Sequence, residues 1–313
     1  MEKTACRWKE NLLQYLPMRI RIAAQRLPDT ACVEELRFRR DAPVFARVSG
    51  EEYPLMLAGG ASVTAEEMRE LFDRFTEQSR YAREREIAEG FLTLAGGYRV
   101  GIAGRMRDGI LTEVTGFSLR IARQVPGAAD AAIPYLKDAD GRLMPTLVFS
   151  PPGCGKTTFL RELARSVSDG RAGLRAASVS LVDERCELTG GGLLCVGLRT
   201  DTLTGVDRTE GMRRMCLTMS PEVLITDELR SEDDALAVLD AAACGITVAA
   251  SAHAPDIGTL FRRRCLLPLT RAEVFERYVR LGRSHGVGTV EMIHDARGNE
   301  ITGRETPCFI RLP

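Results

Sequence analysis

The sequence predicts an α/β protein in which a larger domain with a parallel sheet follows a smaller α+β domain. After residue 143, strand-like runs that are apolar on both faces alternate with helical segments, which is typical of a parallel sheet covered on both sides. Before residue 125, short alternating strands and turns predict an antiparallel sheet. Between them, Pro126-Gly127, Pro134 and a polar stretch around Asp140 predict a linker. We therefore expect domains at 1–125 and 143–313, joined by a linker at 126–142.

Composition limits the classes of protein that the chain can represent. Its 313 residues suffice for two hydrophobic cores, and 43 basic residues balance 43 acidic ones. This balance provides no overall field that would favour nucleic acid or an anionic membrane. Nine scattered cysteines predict reduced thiols in a cytoplasmic protein, and neither a signal peptide nor a membrane span is evident.

The first domain is predicted to mix helices with antiparallel strands. Its helices are expected up to about residue 28 with an interruption at Pro17, from a capping box at Thr64, and over 87–94. Its strands are expected at 33–39, 44–48, 98–105 and 118–123. The last two flank a turn at Arg107-Asp108-Gly109, which indicates an antiparallel pair.

The second domain is predicted to alternate strands and helices. The strands are 143–149, 177–183, 222–226 and 246–251, and the helices are 157–168, 210–219 and 232–244. Beyond residue 270 we expect a further helix that carries Val274, Phe275, Tyr278 and Val279. A hairpin that begins at Gly288 and turns at Arg297-Gly298-Asn299 follows it.

One stretch joins the first of these strands to a helix and has the pattern of a P-loop. It reads Ser150, Pro151, Pro152, Gly153, Cys154, Gly155, Lys156, Thr157 and Thr158. Glycines let successive backbone N–H groups curl around a phosphate at a helix N-terminus. The lysine reaches the β- and γ-phosphates, and the Thr157 hydroxyl helps to hold Mg²⁺. Ser150 stands where the pattern usually has glycine; because it precedes a proline, we expect extended backbone there.

A second motif follows at the end of another apolar strand. Val223-Leu224-Ile225-Thr226 leads into Asp227-Glu228. Asp227 can accept hydrogen bonds from Mg²⁺-bound water, and Glu228 can polarise the attacking water as general base. Because the carboxyl ends of parallel strands form one edge, Asp183, Glu184 and His253 are expected to converge on the γ-phosphate as well.

The nucleotide is predicted to be ATP. A guanine-specific site usually contains Asn-Lys-x-Asp, and the two asparagines of this chain, Asn11 and Asn299, are followed by Leu12 and Glu300. ATP is thus inferred from the absence of a guanine motif.

These motifs occur in an order that resembles the secretion ATPases of type II and type IV pilus machines. The resemblance includes the acidic box at 183–187, the strand ending in Asp227-Glu228 with the Leu229-Arg230 that follows, and Ala252-His253. It is closer to the stage III sporulation AA branch of endospore-forming bacteria, through Gly97–Arg105, Ser118–Arg123, Gly197–Asp201 and Met219–Glu222. The matching strings cover most of residues 85–295.

The resemblance implies properties that the residues alone do not establish. It implies a RecA-like, AAA-type ATPase that forms a homo-hexameric ring in the mother-cell cytoplasm. The ring would power or gate a secretion-like channel through membrane proteins that recruit it. The Ser150 departure from the family's first P-loop glycine bears on the rate of turnover more than on nucleotide binding.

Negative charge in a phosphoryl-transfer transition state usually requires an arginine from a neighbouring domain or subunit. The candidates are Arg105, Arg120, Arg123, Arg199 and Arg230. Two alternatives stay open: a nucleotide-binding ring scaffold with little turnover, and a nucleic-acid motor, which shares the RecA-like core. Overall neutrality counts against the second.

Overall fold

The computed structural model describes residues 8–27, 33–48, 50–79, 81–95, 98–107, 110–121, 124–192 and 194–302. The chain divides into two compact units. The first contains residues 1–123 and 190–193, and the second contains residues 124–189 and 194–313. Among the described residues, every helix is too short or too polar to cross a bilayer.

The first unit is built on a six-stranded antiparallel sheet. Its helices are α1 (Trp8–Leu12), α2 (Met18–Gln25), α3 (Ala65–Phe75) and α4 (Glu84–Ala88). Its strands are β1 (Val33–Arg39), β2 (Phe45–Val48), β3 (Glu51–Pro54), β4 (Phe91–Thr93), β5 (Arg99–Arg107) and β6 (Ile110–Arg120), in the order β3-β2-β1-β6-β5-β4. Trp8, Leu12, Phe38 and Phe75 fill its core.

Most predictions for this unit are confirmed, with one correction. Thr64 caps α3 in the predicted box: its hydroxyl accepts from the Glu67 N–H, and the Glu67 carboxylate accepts from the Thr64 N–H. The helix predicted over 87–94 instead ends at Ala88. Gly90, with φ of 81°, turns the chain into β4, which pairs with β5. The predicted turn at Asp108-Gly109 lies outside the described residues.

The second unit is built on a seven-stranded sheet whose strands are parallel except for the last one. Its helices are α5 (Ile133–Leu136), α6 (Lys156–Asp169), α7 (Arg208–Met219), α8 (Glu232–Ala243), α9 (Ile257–Arg262) and α10 (Leu267–Arg271). Its strands are β7 (Thr146–Ser150), β8 (Val179–Asp183), β9 (Thr200–Thr204), β10 (Val223–Thr226), β11 (Thr247–His253), β12 (Arg277–Gly282) and β13 (Thr289–Asp295). Their order is β13-β12-β7-β11-β10-β8-β9.

Both faces of this sheet are covered, as the apolar strands predicted. Val148 of β7 belongs to a hydrophobic cluster with Phe159 and Leu163 of α6, which we call the α6 cluster. Its neighbours Leu147 and Phe149 belong to the opposite cluster, which contains residues of α7 and α8. Successive side chains of a strand point to opposite faces, so β7 supports both layers.

The segment 126–142, which we predicted as a linker, contains α5 and packs within the second unit, because Ala129, Ile133 and Leu136 are buried in the same cluster as Phe159 of α6. Another stretch of this unit differs from the predictions. The segment around Tyr278 forms strand β12, not a helix, and it pairs in parallel with β7 and antiparallel with β13. The apolar residues of this segment fit a helical period locally. The segment forms a strand because it pairs with the otherwise open edge of β7.

Candidate nucleotide site

The P-loop links the end of β7 to the start of α6, as predicted. Gly153 and Gly155 have φ of 72° and 87°, a left-handed region in which glycine is unstrained. Ser150 is the last residue of β7 and pairs with His253 of β11. Ser150 therefore keeps the extended backbone that we expected, and the position has no conformational need for glycine.

Lys156 turns its ammonium group back over this loop. The side chain is nearly enclosed, at 7% exposure. Its Nζ donates to the Ser150 carbonyl at 3.3 Å, to the Ser150 hydroxyl at 3.2 Å and to the Pro151 carbonyl at 3.4 Å. Burial lowers the pKa of Lys156, and the negative charges of Glu228 and Asp227 offset part of that change.

His253 joins the lysine to the strand that carries the carboxylates. It ends β11, which lies between β7 and β10. Its Nδ1 lies 2.9 Å from Nζ of Lys156, and its Nε2 lies 3.0 Å from Oε1 of Glu228. The predicted convergence of the P-loop lysine, the histidine and the general-base candidate is therefore a direct chain of contacts.

Glu228 sits on a sharp turn directly after β10. Its φ of 39° places a residue with a Cβ in the left-handed region, at a cost of about 1–2 kcal/mol. Ser251 of β11 compensates, because its hydroxyl accepts from the Glu228 N–H at 2.9 Å and its carbonyl accepts from the Leu229 N–H at 2.7 Å. This turn aims the carboxylate toward His253 and Arg230.

The charge state of Glu228 reflects these neighbours. Burial alone would raise the pKa of Glu228, but the hydrogen bond and positive charge of Arg230, with His253 and Arg185 nearby, lower it below the ordinary value. Arg230 forms an ion pair with this carboxylate within the same chain. The carboxylate is thus ionised at neutral pH, as a general base requires.

Asp227 is buried one residue earlier, beside an arginine that the sequence analysis missed. Arg208, at 3% exposure, contacts Glu184 at 2.7 Å, Asp227 at 3.4 Å and Asp234 at 3.5 Å. Burial raises the pKa of Asp227 to about 7; Arg208 opposes this change, while Asp183, Glu187 and Glu228 add to it. Arg208 therefore ties the N-terminus of α7 to the ends of β8 and β10 and to α8.

The acidic box after β8 divides into two roles. Asp183 is fully buried, and its oxygens accept from the Glu187 N–H at 2.9 Å and from the N–H and hydroxyl of Thr189, both at 2.8 Å. Asp183 thus shapes its own loop, whereas Glu184 reaches Arg208. Arg161 of α6 holds the same loop by donating to the carbonyls of Glu187 and Leu188, each at 2.6 Å.

Arg199 is placed away from the P-loop of its own chain. It precedes β9, at the amino edge of the parallel strands, and its guanidinium donates to the Ser168 carbonyl at 3.0 Å near the end of α6. Thr157 and Thr158 occupy the first turn of α6, and Pro151, Pro152 and Cys154 complete the loop before it. Arg123 lies outside the described residues.

Sequence reasoning missed Arg208, Asp234 and Arg161. Arg208 left a signal: it follows Asp207, the N-cap of α7, and an arginine in a first helical turn opposes the helix dipole. Such a charge is stable where carboxylates surround it. The contacts of Ser251 with the turn at Glu228 had no local signal, because they depend on the pairing of β10 with β11.

The fold and the site together define the class: this is a RecA-like fold of the secretion-ATPase type. The chain is similar to the pilus retraction motor PilT, solved with bound ADP, at 15% identity and a TM-score of 0.58, over 86% of this chain and 77% of that one. It is similar to the DotB ATPase of Yersinia pseudotuberculosis at 14% identity and a TM-score of 0.57, over 79% and 70% of the two chains.

The chain belongs to the family described as Sporulation stage III, protein AA, whose model matches residues 6–301. It is 36% identical to the stage III sporulation protein AA of Bacillus subtilis strain 168, over 93% of this chain and 96% of that protein. The resemblance inferred from the sequence motifs is thereby confirmed.

Proposed function

We propose that the protein is a Mg²⁺-dependent ATPase that acts in endospore formation. One observation carries this proposal: His253 connects the P-loop lysine, at 2.9 Å, to Glu228 at the end of β10, at 3.0 Å. A phosphate-binding cation and an ionised carboxylate therefore share one edge of the sheet. This is the arrangement that hydrolysis of a γ-phosphate requires.

The chain's own residues suit each task in this reaction. The N–H groups of the loop around Gly153 and Gly155 and of the first turn of α6 bind phosphates. Glu228 orients a water and accepts its proton, and Lys156 neutralises charge on the phosphates. The Thr157 hydroxyl and the buried Asp227 carboxylate are oxygen donors that fit Mg²⁺, which when bound supplies further neutralisation of phosphate charge.

An arginine from another subunit would complete the site. Arg230 is committed to Glu228 and Arg199 to the end of α6 in their own chain. Arg105 contacts Glu113 at 3.5 Å, but its side chain is 82% exposed, and Arg120 is also exposed, so these two are the stronger finger candidates. We infer a homo-hexameric ring from the secretion-ATPase fold, in which such an arginine is supplied between subunits.

We further infer that the ring powers or gates a secretion-like channel from the mother-cell cytoplasm. Two observations support this role: the chain belongs to a family of sporulation proteins, and it has the fold of secretion ATPases. Membrane proteins of the channel would recruit the ring. Movement of the first unit during nucleotide turnover would deliver the work.

The proposal is tested by ATP hydrolysis with purified protein and Mg²⁺. We expect Lys156→Ala and Glu228→Gln to lower turnover by about 100-fold or more, since each removes a group that acts on the transition state. Glu232→Gln is the matched control, because Glu232 lies four residues away on α8 with a 59% exposed side chain. ADP binding should survive in Glu228→Gln, and turnover per subunit should rise with protein concentration if subunits complete the site.

A ring scaffold with little turnover is the second candidate. The ion pair between Glu228 and Arg230 favours it, because a base held by an arginine is less available to water. Nucleotide binding by the wild type without turnover above Glu228→Gln, even when assembled, would select the scaffold. Salt-dependent stimulation by single-stranded DNA would instead select a nucleic-acid motor.

A further inference from the structure

The loop that joins β12 to β13, residues 283–288, lies against the P-loop. β12 runs parallel to β7 and pairs Arg280 with Phe149, so this loop leaves the sheet beside Ser150. The guanidinium of Arg283 donates to the carbonyl of Gly153 at 2.9 Å. The 283–288 loop is therefore a neighbour of the phosphate-binding turn within the second unit.

The two backbones approach each other closely. A Cβ on Gly155 would lie 3.1 Å from Cα of Gly288 and 3.5 Å from a methyl carbon of Val287. A Cβ on Gly153 would lie 2.6 Å from the guanidinium of Arg283. Glycine is thus favoured at both P-loop positions for a second reason besides the positive φ, because a side chain there would push the 283–288 loop away.

The loop has a fixed shape of its own. The N–H and hydroxyl of Ser284 donate to the Glu291 carboxylate at 3.1 and 3.0 Å, and the Thr289 hydroxyl donates to the Gly286 carbonyl at 2.7 Å. A Cβ on Gly282 would lie 2.1 Å from the Glu291 carboxylate, so glycine there makes room for this brace. Val287 is held on the surface with 42% exposure.

The side of the P-loop opposite the 283–288 loop carries the residues proposed to act on the γ-phosphate. His253, Glu228 and Asp227 follow β11 and β10, which lie on one side of β7, whereas β12 lies on the other side. A bound nucleoside triphosphate is extended, and its γ-phosphate must face the carboxylates. Its nucleoside end must then run away from them, toward β12 and the 283–288 loop.

We propose that the 283–288 loop is the nucleoside-binding element of the site. Val287 packs against the base, and Arg283 hydrogen-bonds a ribose hydroxyl while it holds the Gly153 carbonyl. This inference rests on the proposed nucleotide function and adds the residues that recognise the part of the ligand without phosphate. An apolar side chain beside a base and a guanidinium beside a hydroxyl are ordinary components of a small-molecule site.

The test compares a ligand that has a nucleoside with one that lacks it. Dissociation constants for ADP and for inorganic tripolyphosphate, each with Mg²⁺, are measured by calorimetry for the wild type, Val287→Ser and Arg283→Met. We expect ADP to bind about tenfold more weakly in each variant, the effect of one lost contact of this kind. Tripolyphosphate should change by less than about threefold, because the P-loop groups remain.

Arg297→Met is the matched control. Arg297 is an exposed arginine at the far end of β13, in a turn held by Asp295 and Asn299. We expect its ADP affinity to equal that of the wild type. Thermal melts of all variants check that each one is folded.

Two results would overturn the assignment. Unchanged ADP affinity in Val287→Ser and Arg283→Met would show that the loop does not touch the nucleoside. Equal weakening of ADP and tripolyphosphate would show that the loop acts only on the shape of the P-loop. A wild type that binds neither ligand would instead defeat the nucleotide function itself, so the two failures are distinguishable.

Discussion

The ammonium group of Lys156 lies 2.9 Å from Nδ1 of His253, a ring nitrogen that also lies 3.3 Å from the carbonyl oxygen of Ser150. The other ring nitrogen, Nε2, lies 3.0 Å from Oε1 of Glu228. The imidazole therefore bridges the P-loop lysine and the carboxylate proposed as general base.

The first prediction concerns this histidine. His253→Ala removes the link but leaves the phosphate-binding backbone and both carboxylates in place. We expect turnover to fall about 10- to 100-fold, while ADP affinity changes by less than about threefold, because the histidine orients the base and does not hold the ligand. Steady-state ATPase assays and ADP calorimetry measure the two effects separately.

Replacement of Arg297 by alanine provides the control, since Arg297 is exposed in the turn that follows β13, outside the proposed site. Its turnover at saturating ATP should stay within about twofold of the wild type. A loss of ADP binding in His253→Ala that matches its loss of turnover would contradict the orienting role.

A second prediction concerns Arg208 and the carboxylates around it. Arg208→Met leaves Asp227, Asp234 and Glu184 without their shared cation, two of them buried. We expect the free energy of unfolding to fall by about 3–5 kcal/mol, the usual effect of breaking a buried ion pair on one side. Urea denaturation of the full chain measures this loss when it is monitored by a probe placed in the second unit.

Arg213 offers the comparison for that experiment. It lies on the same helix with a 49% exposed side chain, 4.0 Å from Asp240. Arg213→Met should change the free energy of unfolding by less than about 0.5 kcal/mol. Similar losses in both variants would mean that Arg208 has no special place in the network.

A third prediction concerns Ser150, the residue at the usual first glycine of the P-loop. Its hydroxyl donates to the Pro151 carbonyl and accepts from Lys156 at 3.2 Å, and the residue is fully buried in β7. Ser150→Gly should lower the free energy of unfolding by about 1 kcal/mol through lost hydrogen bonds and added backbone freedom. Turnover should change by less than about threefold, since the backbone is extended in either case.

Thermal unfolding and ATPase rates of Ser150→Gly and Ser150→Ala separate the two contributions. Alanine removes the hydroxyl but keeps the Cβ, so it isolates the hydrogen bonds. A rise in turnover above tenfold in the glycine variant alone would show that the serine restrains the loop.

The fourth prediction concerns pH and the first unit. Burial would raise the pKa of Glu67, but its hydrogen bonds to Arg19 and to Thr64 lower it below the ordinary value. A carboxylate with a depressed pKa in the folded state stabilises the fold above its unfolded pKa, and this stability is lost as pH falls through the folded pKa. At pH 7 the free energy of unfolding of the wild type should thus exceed that of Glu67→Gln by about 1–2 kcal/mol.

That difference should shrink below a pH of about 4, where the unfolded carboxyl is already protonated. Chemical denaturation at several pH values measures it, with Glu66→Gln as the control on the same first turn of α3. A constant difference between pH 3 and pH 7 would show that the charge of Glu67 does not matter.

The sequence was sufficient for those parts of the molecule in which local pattern and tertiary structure agree. The P-loop, the strand before Asp227 and the capping box at Thr64 each carry their own signal within a few residues. The strand at Tyr278 was predicted as a helix because its apolar residues satisfy both periods, and only the open edge of β7 decides between them. Arg208 was missed because its three carboxylates come from separate elements that the fold assembles.

The short helix α5 determines where a truncated form of the second unit should begin. Ala129, Ala132, Ile133 and Leu136 are almost inaccessible to solvent and pack into the α6 cluster. A fragment that starts at residue 143 would expose the apolar surface on which α6 rests, and exposed surface of this kind promotes aggregation. Shortened versions for crystallisation or for subunit-mixing experiments should therefore begin at Gln124, where the second unit begins.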